Sequence, residues 1–129
     1  MQASVISISR KGVLTLGEVQ QILPIIKKIT TQIKDDVDRL MQALEGSVEN
    51  PVKTADIESK INFKLDEWNS KITRLGGITK GLWLVDFDSG DGFYCWKHPE
   101  PDIMFWHAYN EGFKGRVPIR HKIQVDHNY

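Results

Sequence analysis

The chain has a single cysteine, Cys95, and the polar side chains that flank it in sequence carry three kinds of potential chemistry. Cys95, His107 and Glu111 offer sulfur, imidazole and carboxylate donors, with Asp86 or His98 as further ligands, and that mixture points to zinc or another divalent metal. Cys95 with His107 as its base would form the nucleophile pair of a small hydrolase or transferase, provided the two meet in space. Asp86 and Arg116 are the natural partners for an ion pair, either clamping the loop from Gly112 to Gly115 or presenting the forked donors of Arg to an anion. Each has a plainer account. Cys95 between Tyr94 and Trp96 reads as a small buried hydrophobe, and His107 as a partly buried ring that fastens a sheet to the next loop. The glycines of Glu111-Gly112-Phe113-Lys114-Gly115-Arg116 read as turn residues, since the segment lacks the Gly-Lys-Ser/Thr ending of a phosphate loop. Trp106 joins Asp86, Cys95, His107, Glu111 and Arg116 in the candidate cluster, although Trp83, Trp96 and Trp106 equally suit a core or a dimer contact.

These groups sit in the second half of the chain, where nine of the twelve Phe, Trp and Tyr residues fall between Trp83 and Phe113. So much aromatic surface must be buried in a core, in an interface or against a ligand. Gly81 to Phe87 and Phe93 to Lys97 read as two antiparallel strands around a hairpin connection, Asp88 to Gly92. Ile103 to His107 reads as a third strand after the Pro99-Glu100-Pro101 turn, and alternation over Ile119 to Val125, with His121 on the apolar side, predicts another. Val5, Ile6 and Ile8 hint at one more near the start. If the chain turns helical after Trp106, His107 and Glu111 project from one face. Alternation places Trp83, Val85 and Phe87 on one face of the first strand and Leu82, Leu84 and Asp86 on the other; in the third, Met104 and Trp106 oppose Ile103, Phe105 and His107. Both faces are apolar, and a helical hairpin covers only one.

Upstream, Thr15-Leu16-Gly17-Glu18 has the form of a capping box, so a helix begins at Thr15. Apolar residues follow in steps of three and four from Val19 to Leu44, and Gly46 ends the pattern. Pro24 lies inside it and predicts a kink or break near Gln20 to Leu23. After the Asn50-Pro51 turn, Thr54 or Asp56 can cap a second helix with its stripe from Ile57 to Leu75, ended by Gly76-Gly77. The predicted fold is α+β: one domain over residues 1–129, with a long antiparallel helical hairpin over about 15–76 followed by a small, mainly antiparallel sheet of three to five strands over about 78–126. The sheet's second face then needs loops, the chain ends, a ligand or a second subunit, which with the long first helix predicts a homodimer.

Charge bounds the partners. Seventeen basic residues balance seventeen acidic ones, with no regional excess, and this disfavours nucleic acid and anionic membrane surfaces. No apolar run approaches the length that spans a bilayer, and the first residues lack the apolar run of a signal peptide, so the expectation is a soluble cytoplasmic protein.

Gly81-Leu82, Val85-Asp86-Phe87, Cys95-Trp96, Phe105-Trp106-His107 and Glu111 to Ile119, with Leu14-Thr15-Leu16 and Leu23-Pro24 upstream, resemble a small prokaryotic family catalogued as a domain of unknown function, number twenty-two-oh-three. The resemblance covers about Val13 to Ile119. It implies a helical region followed by the aromatic motif, and it brings no activity, cofactor or partner. The chain departs from the family pattern in a shorter hairpin at Asp88 to Gly92 and in His98-Pro99, where family members tend to have Gly before the Glu.

Three functional readings follow. A non-enzymatic, homodimeric interaction or scaffold module, binding a protein partner, asks least of the residues. The alternative is a metal- or small-ligand-binding protein around His107, Glu111 and Cys95, and a third is the small hydrolase or transferase.

Overall fold

The computed structural model describes residues 12–120. It is α+β: a helical hairpin followed by a five-stranded open antiparallel sheet. The expected strand at Val5 to Ile8, and His121 and His127, lie outside the described residues.

Helix α1, Leu16–Glu45, opens on the predicted capping box, in which the Glu18 amide donates to Thr15 Oγ1 (3.2 Å) and the Thr15 amide donates to Glu18 Oε1 (2.8 Å). Of the kink or break expected near Gln20 to Leu23, the break does not occur. Proline removes one backbone donor, but Val19, Leu23 and Ile26 on either side of it are fully or almost fully buried, and their packing holds the helix through the lost bond.

Helix α2, Pro51–Arg74, starts earlier than Thr54 or Asp56. Asn50 caps it by accepting from the Lys53 amide (3.1 Å), and Pro51 takes the first helical position, where a missing N–H costs nothing. Thr54 instead ties the helix to the interhelical turn by donating to the Ser47 carbonyl (2.7 Å). At the other end the Gly76 amide donates to the Thr73 carbonyl and the Gly77 amide to the Ile72 carbonyl, closing a Schellman motif with Gly76 at φ 95°. Inside the hairpin the Trp68 indole donates to Thr30 Oγ1 (2.9 Å) where both residues are buried.

The strands are β1 (Ile78–Thr79), β2 (Leu84–Asp88), β3 (Phe93–Lys97), β4 (Phe105–His107) and β5 (Val117–Pro118), hydrogen-bonded in sequence order. The strand expected from Gly81 begins only at Leu84, because 80–84 forms a tight turn in which the Lys80 amide donates to the Leu84 carbonyl (3.0 Å). Trp83 is held there at φ 66° and leaves the strand; its ring still reaches the core, edge-on to Trp68 at 5.1 Å. The third strand is likewise shorter than Ile103 to His107. β5 stands just ahead of the predicted Ile119 to Val125, of which 121–125 are not described, and Ile119 donates to the Met104 carbonyl (3.0 Å).

Register decides the faces. The row Val85↔Trp96 and the row Phe87↔Tyr94↔Trp106↔Val117 turn one way, and Val85, Phe87 and Trp96 are sealed against the helices. The row Asp86↔Cys95↔Phe105 and the row Asp88↔Phe93↔His107 turn the other. This second face is roofed by residues 108–116, one of the covers that alternation called for. The roof ends at Arg116, whose guanidinium lies between the Phe105 and Phe113 rings (4.2 and 4.0 Å to the centroids) and donates twice to Glu100 (3.0 and 2.9 Å). Gly92 admits the sheet's tight approach at the hairpin, since a Cβ there would collide with the Trp106 ring and the His107 carbonyl. No helix of the described residues is long and apolar enough to cross a membrane.

The buried Trp68–Thr30 bond gives a clean test of the hairpin core. Trp68→Phe should lower the unfolding free energy by about 1–3 kcal/mol in urea titrations, because it strands the Thr30 hydroxyl in a dry core. Adding Thr30→Val should recover part of that loss; strictly additive losses would mean that the bond contributes nothing.

Candidate functional site

Three of the sequence's candidate residues meet. Asp86 and Cys95 are directly paired across β2 and β3, and His107 comes from β4 on the same face. One ligand atom from each, a carboxylate oxygen, Sγ and a ring nitrogen, can be chosen so that all lie within 4.8 Å of one another, and all three residues are buried. The hairpin explains the convergence: with Asp88 opposite Phe93, each step down the strands keeps the pairing, and two steps bring Asp86 opposite Cys95.

His107 is held at both ring nitrogens. Nδ1 lies 2.9 Å from the Ala108 carbonyl, which can only accept, so Nδ1 carries a proton and donates. Nε2 faces Asp86 Oδ2 at 3.0 Å, and that contact needs one proton, on the ring or on the carboxyl. Either way the buried pair is electrically neutral overall. Asp86 Oδ1 is the exception among the buried side-chain oxygens and nitrogens described, having no hydrogen-bond partner.

Cys95 is fully buried, and its thiol is pushed up to about 12, first by burial, then by the charge and acceptor character of the neighbouring Asp86, with Arg116 opposing weakly. A thiol activated for attack needs the opposite environment.

Of the remaining candidates only Arg116 reaches the cluster, acting on the Cys95 thiol. Arg116 pairs with Glu100 and not with Asp86, so the expected Asp86–Arg116 clamp is replaced by one that fastens the roof to the turn after β3. That turn contains a cis His98–Pro99 bond and folds Glu100 back so that Oε1 accepts from the Lys97 amide (2.8 Å). Glu111 does not share a helical face with His107. The chain leaves β4 through a turn in which the Glu111 amide donates to the Ala108 carbonyl (3.0 Å), and Glu111 ends exposed on the wall of a cleft, outside the three-residue cluster. Trp106 points to the helix side and donates to Ser89 Oγ (3.0 Å), so it leaves the cluster too. His98 stacks edge-on against Trp96 at 6.2 Å and is held below its usual range by burial and then by Lys34; it is no part of the cluster.

Beside Asp86 and His107 opens a cleft of about 170 Å³, with Phe93, Tyr109, Lys80 and Glu111 among its walls. Reading the sequence alone missed Lys80, Phe93 and Tyr109. Parity could have found Phe93, two residues before Cys95 and on its face; Tyr109 had no local signal, because it is fixed by a distant bond to Asp88 Oδ1 (2.6 Å). That bond also raises the Tyr109 phenol, the carboxylate opposing a second negative charge beside it.

The Cys95 environment predicts an inert thiol. Iodoacetamide at about pH 8 should label the folded, metal-free protein at least ~10³ times more slowly than the urea-unfolded chain, since only the exposed thiolate reacts. Fast labelling of the folded protein would show that the thiol is ionised or accessible.

A family model described as "Uncharacterized conserved protein (DUF2203)" matches residues 13–119, from just before the capping box of α1 to just after β5. No curated protein and no solved structure matches the chain. The match takes in both helices, all five strands and the whole Asp86–Cys95–His107 cluster, and the chain belongs to the DUF2203 family.

Proposed function

We propose that this chain is a binding protein for a small ligand or ion, with its site on the second face of the sheet where Asp86, Cys95 and His107 converge beside the cleft. The observation that carries the reading is the burial of three unlike polar side chains together, one carboxylate oxygen being left without a partner. Burying such groups costs stability, and a fold that needed only a core would fill these positions with apolar residues. The cleft of about 170 Å³ is below the ~300–1,000 Å³ that takes drug-sized ligands, so the occupant is small. A nucleophilic role for Cys95 draws no support from a thiol pushed up to about 12 or from a His107 whose Nε2 is committed to Asp86.

Native mass spectrometry of protein taken directly from cells should give a mass above that of the sequence, with the excess lost on acid denaturation and absent from His107→Phe. A native mass equal to the chain mass for wild type would sink the reading.

A second reading, the homodimeric interaction module, is favoured by apolar side chains left exposed on and beside the helical hairpin: Phe63 (70%), Val52 (81%) and Val48 (79%). Light scattering should then return twice the chain mass at micromolar concentration, and Phe63→Glu should return it to one.

A further inference from the structure

We propose that Asp86, Cys95 and His107 are the protein ligands of a single divalent metal ion, zinc by its donor set, with a fourth position open toward the cleft. The inference rests on the binding reading above and names its occupant.

Four observations carry it. The donors come from three adjacent strands of one sheet at fixed register, so a rigid scaffold positions them. Their separations, all within 4.8 Å, approach the ~3.3–3.7 Å between ligands that tetrahedral bonds of about 2.0–2.3 Å to zinc require. His107 has the outer partner that a ligating imidazole needs: Nδ1–H donates to the Ala108 carbonyl, fixing the tautomer and aiming Nε2 into the cluster. Lastly, Asp86 Oδ1 is buried and unpartnered, and a cation satisfies it.

Charge balance agrees. Without metal the site is neutral: a protonated thiol, and a His–Asp pair sharing one proton in the second of its two contacts. When M²⁺ enters, the thiol proton and the shared proton leave, giving thiolate, carboxylate and neutral imidazole around the ion, with two protons released to solvent. The ligand set then carries two negative charges against two positive, so the buried site is neutral in both states. A plain salt bridge accounts for the Asp86 Oδ2 contact alone; it leaves Oδ1 without a partner. Sulfur with imidazole selects zinc over magnesium or calcium, which take oxygen ligands. Three protein ligands are the pattern of zinc sites that keep a position for water or substrate, and here Asp86 and His107 are themselves walls of the cleft.

The test uses the full chain stripped of metal and titrated with Co²⁺. One equivalent should bring a sulfur-to-cobalt charge-transfer band and the visible bands of a tetrahedral ion, both removed by Zn²⁺ and unchanged by excess Mg²⁺ or Ca²⁺. Cys95→Ser should abolish the charge-transfer band, and Asp86→Asn should weaken Co²⁺ binding at least tenfold. As these residues are buried, circular dichroism must show each variant folded. Zinc-edge X-ray absorption of the wild type needs no variant, and should show one sulfur in the first shell. A folded wild type that binds no Co²⁺, or a shell of nitrogen and oxygen only, overturns the inference. If native mass spectrometry meanwhile finds an organic molecule and the Co²⁺ titration fails, the binding reading survives without the metal; a bare native mass sinks the binding reading, and the metal inference falls with it even where added Co²⁺ binds.

Discussion

The bond between His107 Nε2 and Asp86 Oδ2 constrains more of this structure than any other contact. Both groups are almost wholly buried, and an ionisable side chain survives there only with its partner in reach. That requirement fixes β2, β3 and β4 against one another. A slip of one residue in either pairing would turn Asp86 or His107 toward the helices, among Val85, Phe87 and Trp96, where no polar partner waits. It also demands a roof, since an uncovered face would let water compete for the pair. Residues 108–116 supply it, and the Ala108 carbonyl in its first residue completes the hydrogen bonding of the ring.

The roof has its own fastening. Arg116 is gripped by two rings and by both oxygens of the Glu100 carboxylate, which accept from the single Nη1; it is the two ring contacts that suit a planar guanidinium and would not suit a lysine. The Glu100 end of the clamp belongs to the turn after β3, so one ion pair joins the far end of the roof to the strand that carries Cys95. Gly115 allows the Glu111 side chain to lie close against the chain there, where a Cβ would press on it.

Much of this was legible in the sequence wherever the deciding force was local. The Thr15–Glu18 capping box, the apolar stripes of both helices, the Gly76 terminus and the Asp88 to Gly92 hairpin are each written in neighbouring residues, and each stands in the structure. Pro24 does not break the helix because tertiary burial of Leu23 and Ile26 outweighs one missing bond, and Trp83 leaves the strand because a tight turn sets its backbone against strand propensity. Asp86, Cys95 and His107 were visible as chemistry, but their meeting depended on register. Glu111 lines the same cleft but stays outside the cluster, because the i, i+4 spacing puts two side chains on one face only on a helix, and His107 ends a strand. The Arg116–Glu100 pair was hidden by a turn whose path no short-range pattern announces.

Every strand bonds to the one next to it in sequence, and the two helices form a hairpin of their own. No crossover is needed to complete the sheet, so each pairing closes a short stretch of chain at small entropic expense. Assembly can therefore run in the order of synthesis, helices first and strands laid down one after another. In that order the cluster on the second face is finished late: its three donors lie on successive strands, and the roof that dries them is closed only by Arg116, beyond all three.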